Sequence, residues 1–467
     1  MPEPKRPAGK RPPGRLIAVI GGGITGLATA WYLQQAGATV TVLEASPRAG
    51  GKIRTDELAG VPVEAGPDTF LARVPWAVDL CRELGLDGEL IAPATGKAFL
   101  WTGGRLAALP ARQVLGVPTA LRPLLASGVL SRAGVARAAL DLALPPSRFG
   151  PDPSVAEVVG RRMGHEVVER LVEPLVGGIN AGRADRLSLA ATARSIADGA
   201  ARNRSLVLGL RRAPPAPAGP VFLGLTGGLQ RLVDALAARL GDIRLGAAVS
   251  CLTRDDAGGY RLELAGGDRV EADGVVVTVP SYAAAGLLAE LSPAAATALA
   301  AIRHASVVTV TLAYPPSVLA RPPEGAGMLV PRVDGRLLTA CTWSTSKWPA
   351  LAESGMVMLR ASAGRDGDER AMDMDDDEVV RRVHDELAEA MGVQGRPKDS
   401  FVTRWPNGFP QYDVGHRARV TSIEAALDAD APGVVVAGAA YRGLGIAACI
   451  EQARQAAATL TASADEL

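Results

Sequence analysis

The sequence predicts an α/β protein in which one parallel-sheet layer is assembled from separated stretches of chain. Three observations carry this. A glycine-punctuated strand–helix–strand pattern opens the chain at Arg15–Lys52, RLIAVIGGGITGLATAWYLQQAGATVTVLEASPRAGGK. A helix and several strand-like segments, ending in GVVVTVP (Gly274–Pro280), stand in the middle. A strand, a glycine turn and a helix close it, GVVVAGAAYRGLGIAACIEQARQAAATL (Gly433–Leu460). The chain between them must form something else, so two interdigitated domains are expected rather than beads on a string.

At 467 residues the chain exceeds one ordinary core, and two or three domains are expected. Hydrophobic residues at 48% and charged residues at 21% mark a soluble globular balance, not disorder. A net charge of +1 steers neither nucleic acid nor an acidic surface. Cys81, Cys251, Cys341 and Cys449 are scattered and suit a reducing cytoplasm. With no CxxC, and with His165, His304, His384 and His416 equally scattered, no metal site is expected. The basic, proline-rich opening MPEPKRPAGKRPPGR lacks an apolar core and reads as a disordered tail, not a secretory signal. No apolar run approaches the roughly 18 residues of a membrane span.

Taken in order, Leu16–Ile20 is a short apolar run ending in glycine, a buried parallel strand. Ile24–Gln35 has helical spacing and stops at Gly37; Thr39–Leu43 is a β-branched strand, completing a βαβ unit. From Val74 to Leu144 the pattern is mostly helical, with Pro145-Pro146 and Pro214-Pro215 as punctuation. RRAPPAPAGP (Arg211–Pro220) is a stiff connector. Gly227–Gly241 is an amphipathic helix, followed by strands at Ile243–Leu252 and Tyr260–Ala265. Strands such as Ser306–Tyr314 and a late helix at Asp377–Met391 fill residues 300–400. The acidic run MDMDDDE (Met372–Glu378) suits a helix N-terminus, where carboxylates favour the dipole. No internal repeat is visible.

Gly21, Gly23 and Gly26 form G-x-G-x-x-G between the first strand and its helix. The first glycine permits the turn, the second lets a pyrophosphate approach the backbone, and the third lets helix and strand pack closely. The helix N-terminus then offers free N–H groups to phosphate. Glu44, at the end of the second strand, is placed to accept a ribose hydroxyl. The continuation Arg48-Ala49-Gly50-Gly51-Lys52, followed by Glu64-Ala65-Gly66-Pro67, resembles the second fingerprint of glutathione-reductase-like and amine-oxidase-type flavoproteins. With a single GxGxxG there is no separate NAD(P)H domain, so the expected cofactor is FAD and the electrons go to O2 or another acceptor.

Three later stretches extend the pattern: EPLVGGINAGRADRLSLAAT (Glu173–Thr192), RWPNGFPQYDVGH (Arg404–His416) and AGAAYRGLGIAACI (Ala437–Ile450). With the N-terminal fingerprint they resemble the FAD-dependent porphyrinogen oxidases, the protoporphyrinogen oxidases and the coproporphyrinogen III oxidases of Gram-positive bacteria. The resemblance runs from Leu16 to Leu460, and its wording is similar to the actinobacterial members. It implies a Rossmann-like FAD domain of the glutathione-reductase/amine-oxidase type, interleaved with a mixed-sheet substrate domain and a helical insertion. The expected division is a tail at 1–14, an FAD domain at 15–72, 221–285 and 405–467, a substrate domain at 73–108 and 286–404, and a helical part at 109–220. The family's second motif usually reads G-[IV]-Y-A-G-D; here Asn180 replaces the tyrosine and Arg183 the acid.

By resemblance, FAD contacts fall on Gly21, Gly22, Gly23, Ile24, Thr25, Gly26, Glu44, Ala45, Lys52, Gly66, Pro67, Asp68 and Thr69. They fall also on Val249, Trp405, Leu444, Gly445 and Ile446. Core packing is an equal reading for Trp405, and a packed thiol outweighs a covalent flavin link for Cys449. The reaction implied removes six electrons from a porphyrinogen in three hydride transfers to FAD, with O2 forming hydrogen peroxide. No acid, base or nucleophile is assigned, because the cofactor carries the chemistry. Propionates call for guanidiniums, and Arg73, Arg183 and Arg442 are the candidates, with Asn180 beside them. Gly178 matches a pocket-lining glycine; a turn glycine with positive φ is compatible with that role.

Coproporphyrinogen III, with four propionates, is favoured over protoporphyrinogen IX. The competing readings are an amine oxidase or carotene desaturase, which the 4% aromatic content and the basic anchors disfavour, and a non-catalytic FAD scaffold. The partners implied are porphyrinogen and O2, with transient contacts to other haem-pathway enzymes and none with nucleic acid. Location is expected to be cytoplasmic. LRPLLASGVLSRAGVARAALDLALP, carrying Arg122, Arg132 and Arg137, reads either as a peripheral membrane surface or as a helix packed on its own domain.

Overall fold

The computed structural model describes residues 15–212, 219–255, 258–319 and 323–462. The basic tail and most of the RRAPPAPAGP connector lie outside the described residues. A five-stranded sheet runs in the order β3-β2-β1-β4-β5, all parallel. Its strands are β1 (Leu16–Ile20), β2 (Thr39–Leu43), β3 (Ile243–Arg244), β4 (Gly274–Val277) and β5 (Val434–Val436). Short β-branched runs form it because both of its faces are covered. Ile17 and Val19 point to the face packed by α1 (Ile24–Gln35) and α2 (Ile446–Ala462). Ala18 and Ile20 point to the other, covered by a three-stranded meander and by the helices Ser281–Leu288, Pro293–Ala300 and His416–Asp430.

A seven-stranded mixed sheet lies beyond, in the order 399–410, 304–314, 357–363, 338–343, 327–329, 98–102 and 105–108. Its period-two alternation separates two environments. Val308, Val310, Leu312, Leu359, Ala361 and Ala363 pack toward the helix Asp376–Met391. Val307, Thr309, Arg360 and Ser362 face the other way, into a cavity. The acidic run does what a helix start requires: the Asp375 side chain accepts from the Glu378 N–H, and Asp376, Asp377 and Glu378 fill the first turn.

Several sequence expectations shift. Residues 74–144 are not mostly helical: after Trp76–Glu83 come strands at Ala98–Thr102 and Arg105–Ala108. Gly103 and Gly104, at φ +58° and +73°, make the tight turn between those strands. Ile243–Leu252 splits at Gly246 (φ +66°) into β3 and the meander strand Val249–Arg254, which belong to different sheets. The boundary expected at 285 cuts the helix Ser281–Leu288, which packs on the parallel sheet, and that at 405 cuts the strand Asp399–Pro410. The segment around Arg122–Arg137 is two short helices, Leu121–Ser127 and Arg132–Ala139. They are interrupted at Gly128 (φ +62°) and restarted by the Ser131 cap.

Residues 121–211 form a helical layer with its own core. Within it Asp141 and Arg162 are a buried pair: Asp141 accepts from Arg162 Nε (2.7 Å), Ser205 Oγ (2.5 Å) and the N–H groups of Leu206 and Val207. The helix holding Glu173 and Gly178 belongs to this layer and passes through a π-helical stretch, Val168–Gly177, with Pro174 inside it. Proline has no N–H to give an ordinary helical ladder, and wide turns of this kind recur at functional sites. No described helix is long and apolar enough to cross a membrane.

Candidate functional site

A cavity of about 1150 Å³ opens between the carboxyl ends of the parallel strands, the inner face of the seven-stranded sheet and the π-helical stretch. Its first end is the glycine loop. Gly21 sits at φ +106°, and a Cβ there would come within 2.7 Å of Thr278 Oγ1. A Cβ on Gly26 would lie 1.9 Å from Gly21 O, so only glycine lets α1 pack this closely on the loop. Gly23 meets nothing within 4 Å, which is the open approach a pyrophosphate needs. Gly22 and Gly26 do not line the cavity; they shape its wall. The Gly22 N–H donates to Glu44 Oε2 (2.5 Å) and the Ser46 N–H to Glu44 Oε1 (2.8 Å), so the carboxylate is held with lone pairs to spare for a ribose hydroxyl.

The second glycine turn folds onto the first. Gly50 donates to Gly22 O at 2.8 Å, and a Cβ on Gly51 would lie 3.2 Å from Gly23 Cα. Lys52 follows and lines the cavity; its side chain is exposed to that open space, and partial desolvation there lowers its pKa. Gly66 is obligatory, since a Cβ would lie 1.9 Å from Lys52 O. Ala65 O accepts from Trp405 Nε1 (3.2 Å) and Thr309 Oγ1 (3.0 Å), so Trp405 both lines the cavity and ties the seven-stranded sheet to the segment that carries Gly66. Asp68 also lines it. Burial alone would raise its pKa, but Lys347 at 2.6 Å and nearby Arg360 more than offset this and keep it ionised.

Ile24, Thr25, Ala45, Pro67, Thr69, Val249, Leu444, Gly445 and Ile446 complete that lining. The Cys449 thiol is turned to the carbonyls of Gly443 and Leu444 and is pushed up in pKa by burial, which fits a packed residue. A Rossmann glycine loop with open space at Gly23, a held acid, a second glycine turn with a lysine and a helix start at Ile446 together fit FAD.

At the other end the candidates separate. Gly178 lines the cavity, but at φ −62° it is helical, not a positive-φ turn residue. A Cβ there would meet only Leu329 Cδ2, at 3.8 Å. Asn180 lies outside the lining: it is buried, its side chain donates to Val176 O (2.7 Å) and its own carbonyl accepts from Gln411. Arg183 is neutralised by Asp185 two residues on (3.0 and 2.7 Å), Arg442 is paired with Glu424, and Arg73 is exposed; none of the three lines the cavity. Proximity to a motif placed them in the sequence reading, but local acids had already claimed two of them.

The cavity's own guanidiniums are Arg332, Arg360 and Arg365. Arg332 Nε donates to Glu173 Oε1 (3.0 Å), and Glu173 Oε2 accepts the Ala184 N–H (2.7 Å). Arg365 is 8% exposed; its Nη2 donates to Arg336 O (3.4 Å), its Nε has no hydrogen-bond partner among the described residues, and Asp368 is 3.8 Å away. Desolvation, then Arg332, lowers its pKa. The signal for Arg360 was present in VMLRASA, where an arginine and a serine interrupt an apolar strand at period two. Nothing local marked Arg332 or Arg365. His304 also lines the cavity, its Nδ1 3.0 Å from Ile302 O and its ring edge-on to Tyr282. Burial, with the charge of Lys52 adding to it, brings its pKa down to about 4, so it is neutral.

Comparison with known proteins places the chain in a family. Residues 24–461 match the model of the flavin-containing amine oxidoreductases. A coproporphyrinogen III oxidase of Bacillus subtilis is 39% identical over 94% of this chain and 96% of its own. One of Mycobacterium tuberculosis is 35% identical over 97% and 98%. A crystal structure of an Exiguobacterium protein provisionally named protoporphyrinogen oxidase superposes with a TM-score of 0.87 at 32% identity, over 96% of this chain and 99% of the other. The chain belongs to the family of the flavin-containing amine oxidoreductases and, within it, to the FAD-dependent porphyrinogen oxidases.

Proposed function

We propose that this chain oxidises coproporphyrinogen III to coproporphyrin III in haem biosynthesis. The observation that carries the substrate reading is the group Arg332, Arg360 and Arg365 on the cavity wall, with Arg365 buried and short of a partner. A buried guanidinium with a free N–H edge is matched best by a carboxylate. The names of the relatives point the same way.

Bound FAD supplies a two-electron acceptor that O2 restores, so one macrocycle consumes three O2 and releases three H2O2. The residues do the rest. Arg365, with its unpartnered Nε, holds a propionate, and Arg332, bonded to Glu173, adds positive charge beside it. Gly178 leaves the wall beside Leu329 flat enough for a macrocycle edge. Neutral His304 and the hydroxyls of Thr309 and Ser362 offer uncharged polar contacts on the same walls. An amine would find no aromatic cage from the last motif, because Tyr441 is buried outside the cavity.

The test is porphyrin fluorescence from purified protein with coproporphyrinogen III and protoporphyrinogen IX at equal concentration. A higher kcat/KM for the four-propionate substrate supports the reading. Equal or reversed preference reassigns the enzyme to protoporphyrinogen IX, and turnover of neither rejects it.

A further inference from the structure

The stretch Pro410–His416, PQYDVGH, supplies only Pro410 to the cavity lining. Yet it contains three buried polar side chains: Gln411, Tyr412 and His416 are 1%, 3% and 1% exposed. Gln411 Nε2 donates to Asn180 O (3.0 Å), at the end of the helix that presents Gly178. Tyr412 Oη donates to Ala439 O (2.7 Å) and accepts the Gly443 N–H (2.8 Å). The His416 ring stacks on Tyr412 with centroids 4.0 Å apart and 12° between planes, and its Nε2 lies 2.8 Å from Tyr441 O. A carbonyl only accepts, so Nε2 carries the hydrogen; burial pushes the pKa down to about 4 and keeps the ring neutral. Three of the four backbone groups involved belong to the glycine turn 439–443, which leads through Leu444 and Gly445 to the start of α2.

The arrangement is held at an energetic disadvantage elsewhere. His416 Nδ1, Tyr441 Oη and Gln411 Oε1 are buried without hydrogen-bond partners among the described residues. Each such atom costs about 1–3 kcal/mol, and an apolar residue would avoid it. Polar groups retained at that cost mark places where geometry is being specified.

We infer that Gln411–His416 is a positioning strap. It fixes the Ala439–Gly445 turn, and with it the N-terminus of α2 in the cofactor cavity, relative to the substrate wall at Gly178. Tyr412 and His416 are positioning residues, acting through backbone that lines the cavity at Ala439, Leu444 and Gly445. The N–H groups at a helix start stabilise negative charge, so their placement bears on how strongly reduced flavin is favoured over oxidised. The inference requires FAD and is independent of which porphyrinogen is used.

The experiment is the two-electron reduction potential of bound FAD, equilibrated against a reference dye without substrate. It is measured in the holoenzymes of wild type, Tyr412→Phe, His416→Phe and His416→Gln. Tyr412→Phe removes both contacts to the turn and is expected to lower the preference for reduced flavin about tenfold, a shift of about 30 mV downward. It should also lower kcat about tenfold with KM nearly constant. His416→Phe keeps the stacking, loses the N–H and should shift the potential in the same direction. His416→Gln retains a donor and should recover most of that change. Ser205→Ala, which loosens the remote Asp141 network, serves as the control that lowers stability alone. Variants whose potential and flavin absorption match wild type while their melting temperature falls like that of Ser205→Ala would overturn the strap. Should Tyr412→Phe not fold, the two His416 variants read the same quantity.

Discussion

Arg365 and Arg183 are both arginines near the cavity, and burial and pairing separate their fates. Arg365 is enclosed with a free Nε, whereas Arg183 is bonded to Asp185 at the surface. Charge-assisted bonds to carboxylates contribute about 1.5–3 kcal/mol, so Arg365→Met should raise KM for coproporphyrinogen III about 10- to 100-fold, with FAD content unchanged. Arg183→Ala should change it less than about twofold, as expected of an exposed pair; steady-state kinetics on both variants checks this. At Gly178 the backbone already accepts a side chain, so Gly178→Leu should fold and bind FAD normally while losing macrocycle binding by steric fill. The readout is porphyrinogen KM against flavin absorbance. Glu64 supplies a pH prediction. Burial, only partly opposed by hydrogen bonds from the Leu229 N–H and Thr55, raises its pKa from 4.5 to about 7. The folded protein therefore binds a proton that the unfolded chain has released. The stability this contributes is complete below pH 4.5 and is lost as pH rises through 7. Glu64→Gln should remove that loss, gaining on the order of 1–3 kcal/mol over wild type at pH 8 relative to pH 5, by urea unfolding.

At the scale of elements, the loop–helix junction and the helical layer each rest on one unforgiving contact. Gly26→Ala places a Cβ against Gly21 O, 1.9 Å away, so α1 must lift off the loop. Soluble protein with little bound FAD is the expected result, read by the ratio of flavin to protein absorbance. In the helical layer, Arg162→Met strands Asp141 as a buried carboxylate with three remaining donors. Breaking a buried pair from one side costs about 3–5 kcal/mol, and the melting temperature should fall accordingly. The helices of this layer turn Leu124 and Ala138 inward and leave Leu125 (57%) and Leu140 (49%) exposed.

Across the whole molecule, the cofactor cavity is a junction of all three layers. Its lining comes from both ends of the chain, the middle, the seven-stranded sheet and the π-helical stretch. A ligand there adds its binding free energy to the assembled state alone: about 2.7 kcal/mol at a free concentration a hundred times Kd. Removing FAD should lower the melting temperature, and titrating it back should restore it in a concentration-dependent way, by calorimetry.

Much of the fold was legible because it rests on short-range rules. β1, α1 and β2 occupy the residues read from periodicity and glycine placement, and the acidic run does cap its helix. The resemblance of a few motifs was sufficient for the cofactor and family. What escaped was whatever depends on which residues, distant along the chain, meet. The 98–108 hairpin was hidden inside an apolar region whose sheet partner lies more than 200 residues later, at Gly327–Leu329. Arg183 and Arg442 looked available until Asp185 and Glu424 were seen to hold them. Arg365 looked ordinary until folding buried it beside Arg332 and Glu173. Backbone preference and hydrophobic period act within a few residues and are written locally. Burial, charge pairing and the shape of a cavity are properties of the assembled chain, and these select the side chains that face substrate.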